Sequence, residues 1–318
     1  MRSLPALVLL LPLIACHGLT PKDQTELASF QRNAGLYFDG GKYDQSLGLI
    51  ERGLEIDPYD YKLRSMRAAI YLLQSPPASA EDQRMLDRSL AAFAEVYGDR
   101  SPSRHDRHVL LYYSLARQKQ AMRRFAEAAR IDPASSGAET GKRALREQGN
   151  EDLRASAELL GVLLDRGELP RVCHYHLLQI AALNNDAAGI LEHGNKYLEA
   201  ATKDQEKTAS EIDRTTVYGY EVSQKRMMTF LRDEEVAVRT LMAQQLYAQH
   251  DYKGALPHVD AVLQIDPTRS DDHYNRGLIL RQLGRVDEAK VDLRAFLATT
   301  TLPPDSPKVA DAVKALTQ

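Results

Sequence analysis

The 318-residue chain predicts an all-α solenoid, a superhelix of antiparallel helix hairpins, and three features carry that expectation. Asp-Pro recurs after apolar-rich helical stretches, at Asp57-Pro58, Asp132-Pro133 and Asp266-Pro267. Counting back from these prolines exposes a 34-residue pattern, clearest where 236–269 and 270–303 follow one another in register. A small residue (Ser46, Ala255 or Ala289) then recurs where the second helix of each unit crosses the first, just after a tight turn. Fixed-period self-similarity of this length is the mark of stacked supersecondary units. Proline ends each second helix because it lacks an N–H and clashes with the preceding turn.

The elements follow in order. Arg2, the apolar run Leu4–Leu13 and Ala15 before Cys16 describe a secretory signal peptide over 1–15. The run is about half the roughly 20 residues a membrane-spanning helix needs. Leu13-Ile14-Ala15-Cys16 resembles the lipobox of bacterial lipoproteins. That resemblance implies acyl chains, palmitate among them, on Cys16, and a lipidated tether over 16–26. His17, not aspartate, follows the cysteine, which by the same resemblance implies the outer membrane, facing the periplasm.

The first repeat, 27–60, carries Phe30, Tyr37, Gly41-Lys42-Tyr43-Asp44, Ser46, Ile50, Gly53 and Pro58. At Gly41 and Gly284 the turn needs φ > 0, which glycine adopts without steric cost. Residues 61–102 read as a unit with the insertion Ser75-Pro76-Pro77-Ala78-Ser79. Residues 102–135 keep the register through Val109, Tyr112, Ala121, Phe125 and Ala128, but hold Arg117-Gln118-Lys119 in place of a glycine turn. These make an N-terminal repeat block, 27–135. Over 136–235 the signature fades to apolar stripes such as Leu153, Ala157, Leu160 and Leu164, read as degenerate helical hairpins. Two regular repeats occupy 236–303, and 304–318 reads as a capping helix with Val309, Val313 and Leu316 as its apolar face. A terminal repeat cannot bury its own outer face alone. The 34-residue pattern resembles the tetratricopeptide repeat, although the consensus tryptophan is absent from a chain with no Trp.

Composition narrows the function. The formal charge is −3, with both signs interspersed and no basic block, so no footprint for nucleic acid exists. If Cys16 carries lipid, Cys173 has no partner for a disulfide. Cys173-His174-Tyr175-His176, with His193 beyond, is the most metal-like cluster; helical spacing puts Cys173 and His176 on one face and His174 elsewhere. Two ligands do not close a zinc site, so no metal and no cofactor are expected. Gly137–Arg143 superficially resembles a phosphate loop but has Ser136 and Arg143 where the motif needs glycine and Ser/Thr. The acidic pairs Glu234-Glu235 and Asp271-Asp272 read as residues that precede or open helices. No catalytic residue emerges.

The first helices of 236–303 should present a concave face bearing Gln244, Tyr247, Tyr274, Asn275 and Arg281, the candidate protein-binding residues. Tyrosine and arginine are enriched at binding hot spots. Of the positions that form a carboxylate clamp in some chaperone-binding repeats, only Asn275 matches. By resemblance, the expected function is a lipid-anchored periplasmic adaptor holding cell-envelope proteins during assembly of a pilus, secretion or polysaccharide-export system. An adaptor regulating peptidoglycan-processing enzymes is the alternative, since His273–Leu297 looks like a repeat found in such adaptors. An enzyme with its site in 138–235 ranks lower, and homo-oligomerisation is left open.

Overall fold

A computed structural model describes residues 19–74, 80–98, 106–214 and 218–317. Among them are thirteen α-helices and no strand. The signal peptide, Cys16 and the Ser75–Ser79 insertion lie outside the described residues. No helix among those described is long and apolar enough to cross a membrane. The chain forms two compact units, Met1–Ala116 and Arg117–Gln318.

The first unit holds α1 (Pro21–Asp39), α2 (Tyr43–Ile56), α3 (Tyr61–Gln74), α4 (Ala80–Gly98) and the start of α5 (Arg107–Arg130). Helix α1 opens on a reciprocal capping box: Asp23 N–H donates to Thr20 Oγ1 at 3.2 Å, and Thr20 N–H donates to Asp23 Oδ2 at 3.1 Å. That satisfies two donors a helix start leaves orphaned. Gly41 takes φ +68° in the turn to α2. At the crossing beyond it, Ser46 is fully buried and its hydroxyl donates to Ala34 O at 2.9 Å. Ser89 repeats the device one hairpin on, donating to Ala68 O at 2.9 Å. A serine there combines small volume with a satisfied polar atom. Close approach also explains Gly53, where a Cβ would stand 2.3 Å from Leu63 Cδ1.

Where 102–135 was expected to keep the register of a repeat without its glycine turn, α5 runs unbroken through Arg117-Gln118-Lys119. Arg, Gln and Lys are good helix formers, and no glycine or proline interrupts them, so nothing stops the helix.

The second unit continues with α6 (Ala138–Asp165), α7 (Pro170–Leu183), α8 (Ala187–Arg214), α9 (Tyr218–Ala248), α10 (Tyr252–Ile265), α11 (Ser270–Gln282), α12 (Val286–Thr299) and α13 (Pro307–Thr317). Hairpins α9–α10 and α11–α12 follow the 34-residue register. Ala255 and Ala289 are fully buried at their crossings. The turn before α12 has Gly284 at φ +74°, while His250 takes φ +62° at the matching position before α10. Helix α13 covers the last hairpin by seating Ala312 and Ala315 against Leu293 and Phe296, with Val309 and Leu316 beside them. Val313, expected on that face, is half exposed; the helix is rotated so that the alanines allow closer approach.

A second correction concerns Glu234. Helix α9 runs 31 residues and crosses the expected boundary at 235/236, so Glu234 sits in its interior. Its carboxylate is buried among α7 and α8, paired with Arg171 Nη1 and accepting from Tyr197 OH at 3.2 Å. Arg171 Nε also meets Asp204 Oδ2 at 2.9 Å. Both partners titrate upward. Desolvation outweighs the pull of Arg171 on Glu234, whereas at Arg171 the attraction of Glu234 and Asp204 more than offsets desolvation. Asp271 and Asp272 do open α11, as expected.

Candidate functional site

Helices α9 and α11, the first helices of successive hairpins, form the two walls of a cleft of about 130 Å³ whose floor is α10. Thr240, Gln244 and Tyr247 are spaced along one stripe of α9, and Asn275, Leu278 and Ile279 face them from α11. Val259 and Val262 supply the apolar floor. This wall-and-floor arrangement follows from the small crossing residues: Ala255 lets α10 sit close under α9, and Gly277 lets α12 approach α11, where a Cβ would stand 2.9 Å from the Leu293 side chain.

The polar atoms of the cleft are unevenly satisfied. Asp272 accepts from Arg269 Nε at 2.6 Å. Thr240 Oγ1 is buried with no hydrogen-bond partner among the described residues. An unpaired buried hydroxyl carries a desolvation cost of about 1–3 kcal/mol. The carboxamides of Gln244 and Asn275 stand at the same cleft.

Of the five residues expected from the sequence, Gln244, Tyr247 and Asn275 line the cleft together. Tyr247 packs edge-on against Tyr252, ring centroids 5.3 Å apart, and burial pushes its hydroxyl up. Tyr274 is engaged with the capping helix. Its ring lies 5.1 Å from Phe296, its hydroxyl donates to Asp311 Oδ2 at 3.0 Å, and Lys308 Nζ stands 5.7 Å from the ring. Burial first, then Asp311, pushes the Tyr274 hydroxyl up to about 12. Arg281 lies close enough to both tyrosines for its charge to act on them. The sequence reading missed Lys308 and Asp311, which extend this row onto α13. Stepping the 34-residue register once past Tyr274 lands on Lys308 and would have found it.

In the first unit, α1, α3 and the start of α5 line a second cleft of about 310 Å³. Phe38 and Tyr112 meet edge-on in it at 5.8 Å, with Asp39, Lys62, Met66 and Asp106 around them.

The metal-like cluster divides as its helical spacing implies: Cys173 and His176 turn inward and His174 turns elsewhere. Cys173 is buried, and burial pushes its thiol up to about 11. His174 meets His193 across the α7–α8 hairpin, Nδ1 to Nδ1 at 3.3 Å, and desolvation holds both imidazoles below their ordinary value. Among the described residues, no three or more His, Cys, Asp or Glu side chains gather as metal ligands would.

No protein-family model and no curated protein matches the chain. Solved structures do. A structure of Pseudomonas aeruginosa PilF aligns with a TM-score of 0.51 at 14% identity, covering 92% of this chain and 99% of that one. The Cut9–Hcn1 hetero-tetramer of APC/C matches at 0.44 and 12% identity, over 92% of this chain but 44% of that one, so this chain spans less than half its length. The TPR domain of P58(IPK) matches at 0.24 and 14% identity, covering 92% and 99%. The fold is an all-α solenoid of the tetratricopeptide type.

Proposed function

We propose that this protein is a non-catalytic adaptor that holds a segment of a partner protein in the α9–α11 cleft. The observation that carries the reading is the mixed surface of that cleft. The apolar faces of Tyr247 and Leu278 lie beside the carboxamides of Gln244 and Asn275. Apolar surface with a few convergent polar groups suits a ligand that offers both hydrocarbon and hydrogen-bonding groups, as a peptide does. Solenoid repeats use extended concave surfaces for such binding.

The finer part of the proposal is the setting: a lipid on Cys16, the outer membrane facing the periplasm, and partners among envelope proteins that assemble a pilus, secretion or polysaccharide-export machine. The lipobox-like Leu13-Ile14-Ala15-Cys16 supports it. By that resemblance Cys16 would carry three acyl chains, beyond the single chain that gives only marginal, reversible membrane binding.

The test is capture from solubilised envelopes. A chain with Gln244→Ala and Asn275→Ala should keep its melting temperature and lose most captured protein. Undiminished capture by the folded double variant would eliminate the cleft. Metabolic fatty-acid labelling checks the anchor: label should appear on the wild type and vanish from Cys16→Ala, and equal labelling of both overturns it.

A further inference from the structure

The α9–α11 cleft also carries information about what it holds. Building on the adaptor reading, we infer that its occupant is an extended peptide presenting a branched aliphatic side chain and, two residues away, a carboxylate.

The first half follows from size and lining. A volume of about 130 Å³ lies well under the roughly 300–1,000 Å³ of pockets that enclose whole small ligands. It suits one aliphatic side chain lodged between the two walls against Tyr247 and Leu278, over the buried floor of Val259 and Val262. The Gln244 and Asn275 carboxamides, each with donor and acceptor atoms, match the alternating N–H and C=O of an extended backbone.

The second half follows from charge. The acidic groups along this row are already engaged: Asp271 with Lys308 at 2.7 Å, Asp272 with Arg269 at 2.6 Å, and Asp311 with Tyr274 at 3.0 Å. Arg281 has no ion-pair partner among the described residues, and it lies three residues beyond Leu278 of the cleft wall, with its charge acting on Tyr247. It falls on the same α11 stripe as Tyr274 and Leu278, at spacings of seven and three residues. A partly sheltered guanidinium without an internal partner suits a carboxylate, which it can grip through two parallel N–H donors. From the middle of the Asn275–Ile279 wall to Arg281 is about 6 Å along the helix at ~1.5 Å per residue. An extended chain advances ~3.3 Å per residue and alternates its faces, so the side chain two residues from the seated one reaches that distance on the same face.

The test is fluorescence anisotropy with the purified full chain and two labelled peptides, Gly-Ser-Leu-Ser-Glu-Ser-Gly and Gly-Ser-Glu-Ser-Leu-Ser-Gly, covering both chain directions. At least one should bind. Replacing its leucine by alanine should weaken binding about tenfold or more. Replacing its glutamate by glutamine should weaken it about three- to tenfold, and Arg281→Gln should abolish that difference. Arg281→Glu should reverse the preference toward a lysine-bearing peptide. Melting curves confirm that the variants fold. Absence of binding by either peptide, or an Arg281→Gln chain that still prefers glutamate, overturns the inference. Binding that is lost in Gln244→Ala with Asn275→Ala but indifferent to leucine and glutamate overturns the chemistry and leaves the adaptor reading standing. Binding and envelope capture both indifferent to that double variant overturn the two together.

Discussion

Two stretches of the second unit solve the same problem by different means. In α10 to α12, helices of 13 to 14 residues meet through buried alanines and an apolar core of Ala255, Val259, Leu263 and Ile279, and the buried Asp292 is held across the α11–α12 crossing by Arg276 at 2.7 Å and His273 at 2.9 Å. From the second half of α5 to α9, helices of up to 31 residues add to an apolar core of Leu178, Val238 and Met242 an ion pair buried on both sides, Arg171 with Glu234 beside Tyr197, and Asp152 held by Arg117 at 2.9 Å and by Arg124 at 2.5 Å. A short repeat resets its apolar stripe at every turn. In a long helix the 3.6-residue period drifts against any fixed partner, and specific polar pairs then set which faces meet. Both stretches hold a buried carboxylate; of the two, the long-helix stretch buries both members of an ion pair, Arg171 and Glu234, and so depends more on their charge.

The largest effect should come from breaking the long-helix cluster. Glu234→Ala leaves Arg171 buried with only the half-exposed Asp204, and should cost about 3 kcal/mol, visible as a large fall in melting temperature. Replacing the group together, Arg171→Met with Glu234→Leu and Tyr197→Phe, should recover most of that loss, since well-packed apolar substitutes for a buried pair are often neutral or better. A loss below 1 kcal/mol for the single variant would show that the cluster does not set the packing.

Acid should act on the same stretch. Burial, with some help from Arg171, holds His176 in α7 down at about 4 against an ordinary 6.5, and its Nδ1 is buried without a partner among the described residues. The unfolded chain therefore binds a proton that the folded chain refuses. This contribution is complete above about pH 6.5 and is lost as pH falls toward 4, by up to about 3 kcal/mol. His174 and His193 shift in the same direction. His176→Gln should flatten stability against pH between 6.5 and 4 in denaturant titrations; an unchanged slope would remove His176 from the account.

In the regular stretch, Ala289→Leu should overpack the α11–α12 crossing and cost about 1–3 kcal/mol. The same change at exposed Ala298, on the same helix, should stay within about 0.5 kcal/mol. Equal shifts for the two would mean the 34-residue register is misplaced. The smallest effect is a gain. His250 sits at φ +62° where Gly284 and Gly41 stand in other repeats, so His250→Gly should stabilise by about 1 kcal/mol. A loss instead would assign weight to the His250–Tyr252 contact at 2.9 Å.

Legibility followed the same division. The repeat positions Ala255, Ala289, Gly284, Val259 and Phe296 were visible because each is fixed by a local demand: a tight crossing, a left-handed turn, a core knob. Three of the five expected binding residues, Gln244, Tyr247 and Asn275, meet in one cleft for the same reason. Tyr274 was harder, because a tyrosine on a first helix reads alike whether it faces a ligand or a capping helix. Its bond to Asp311 depends on how α13 docks. Arg117-Gln118-Lys119 could not announce an uninterrupted α5, since the absence of a breaker is a weaker signal than its presence.

Sequence alone determined that this protein is a stack of helical hairpins, because 34-residue spacing, proline stops and small crossing residues are local requirements that survive without knowing any partner element. Tertiary structure alone decided which helices run long, that Glu234 lies buried against Arg171, and that His174 meets His193. Those contacts join residues 19 to 63 positions apart. Periodicity reports which face of a helix is apolar, and only packing determines what that face meets.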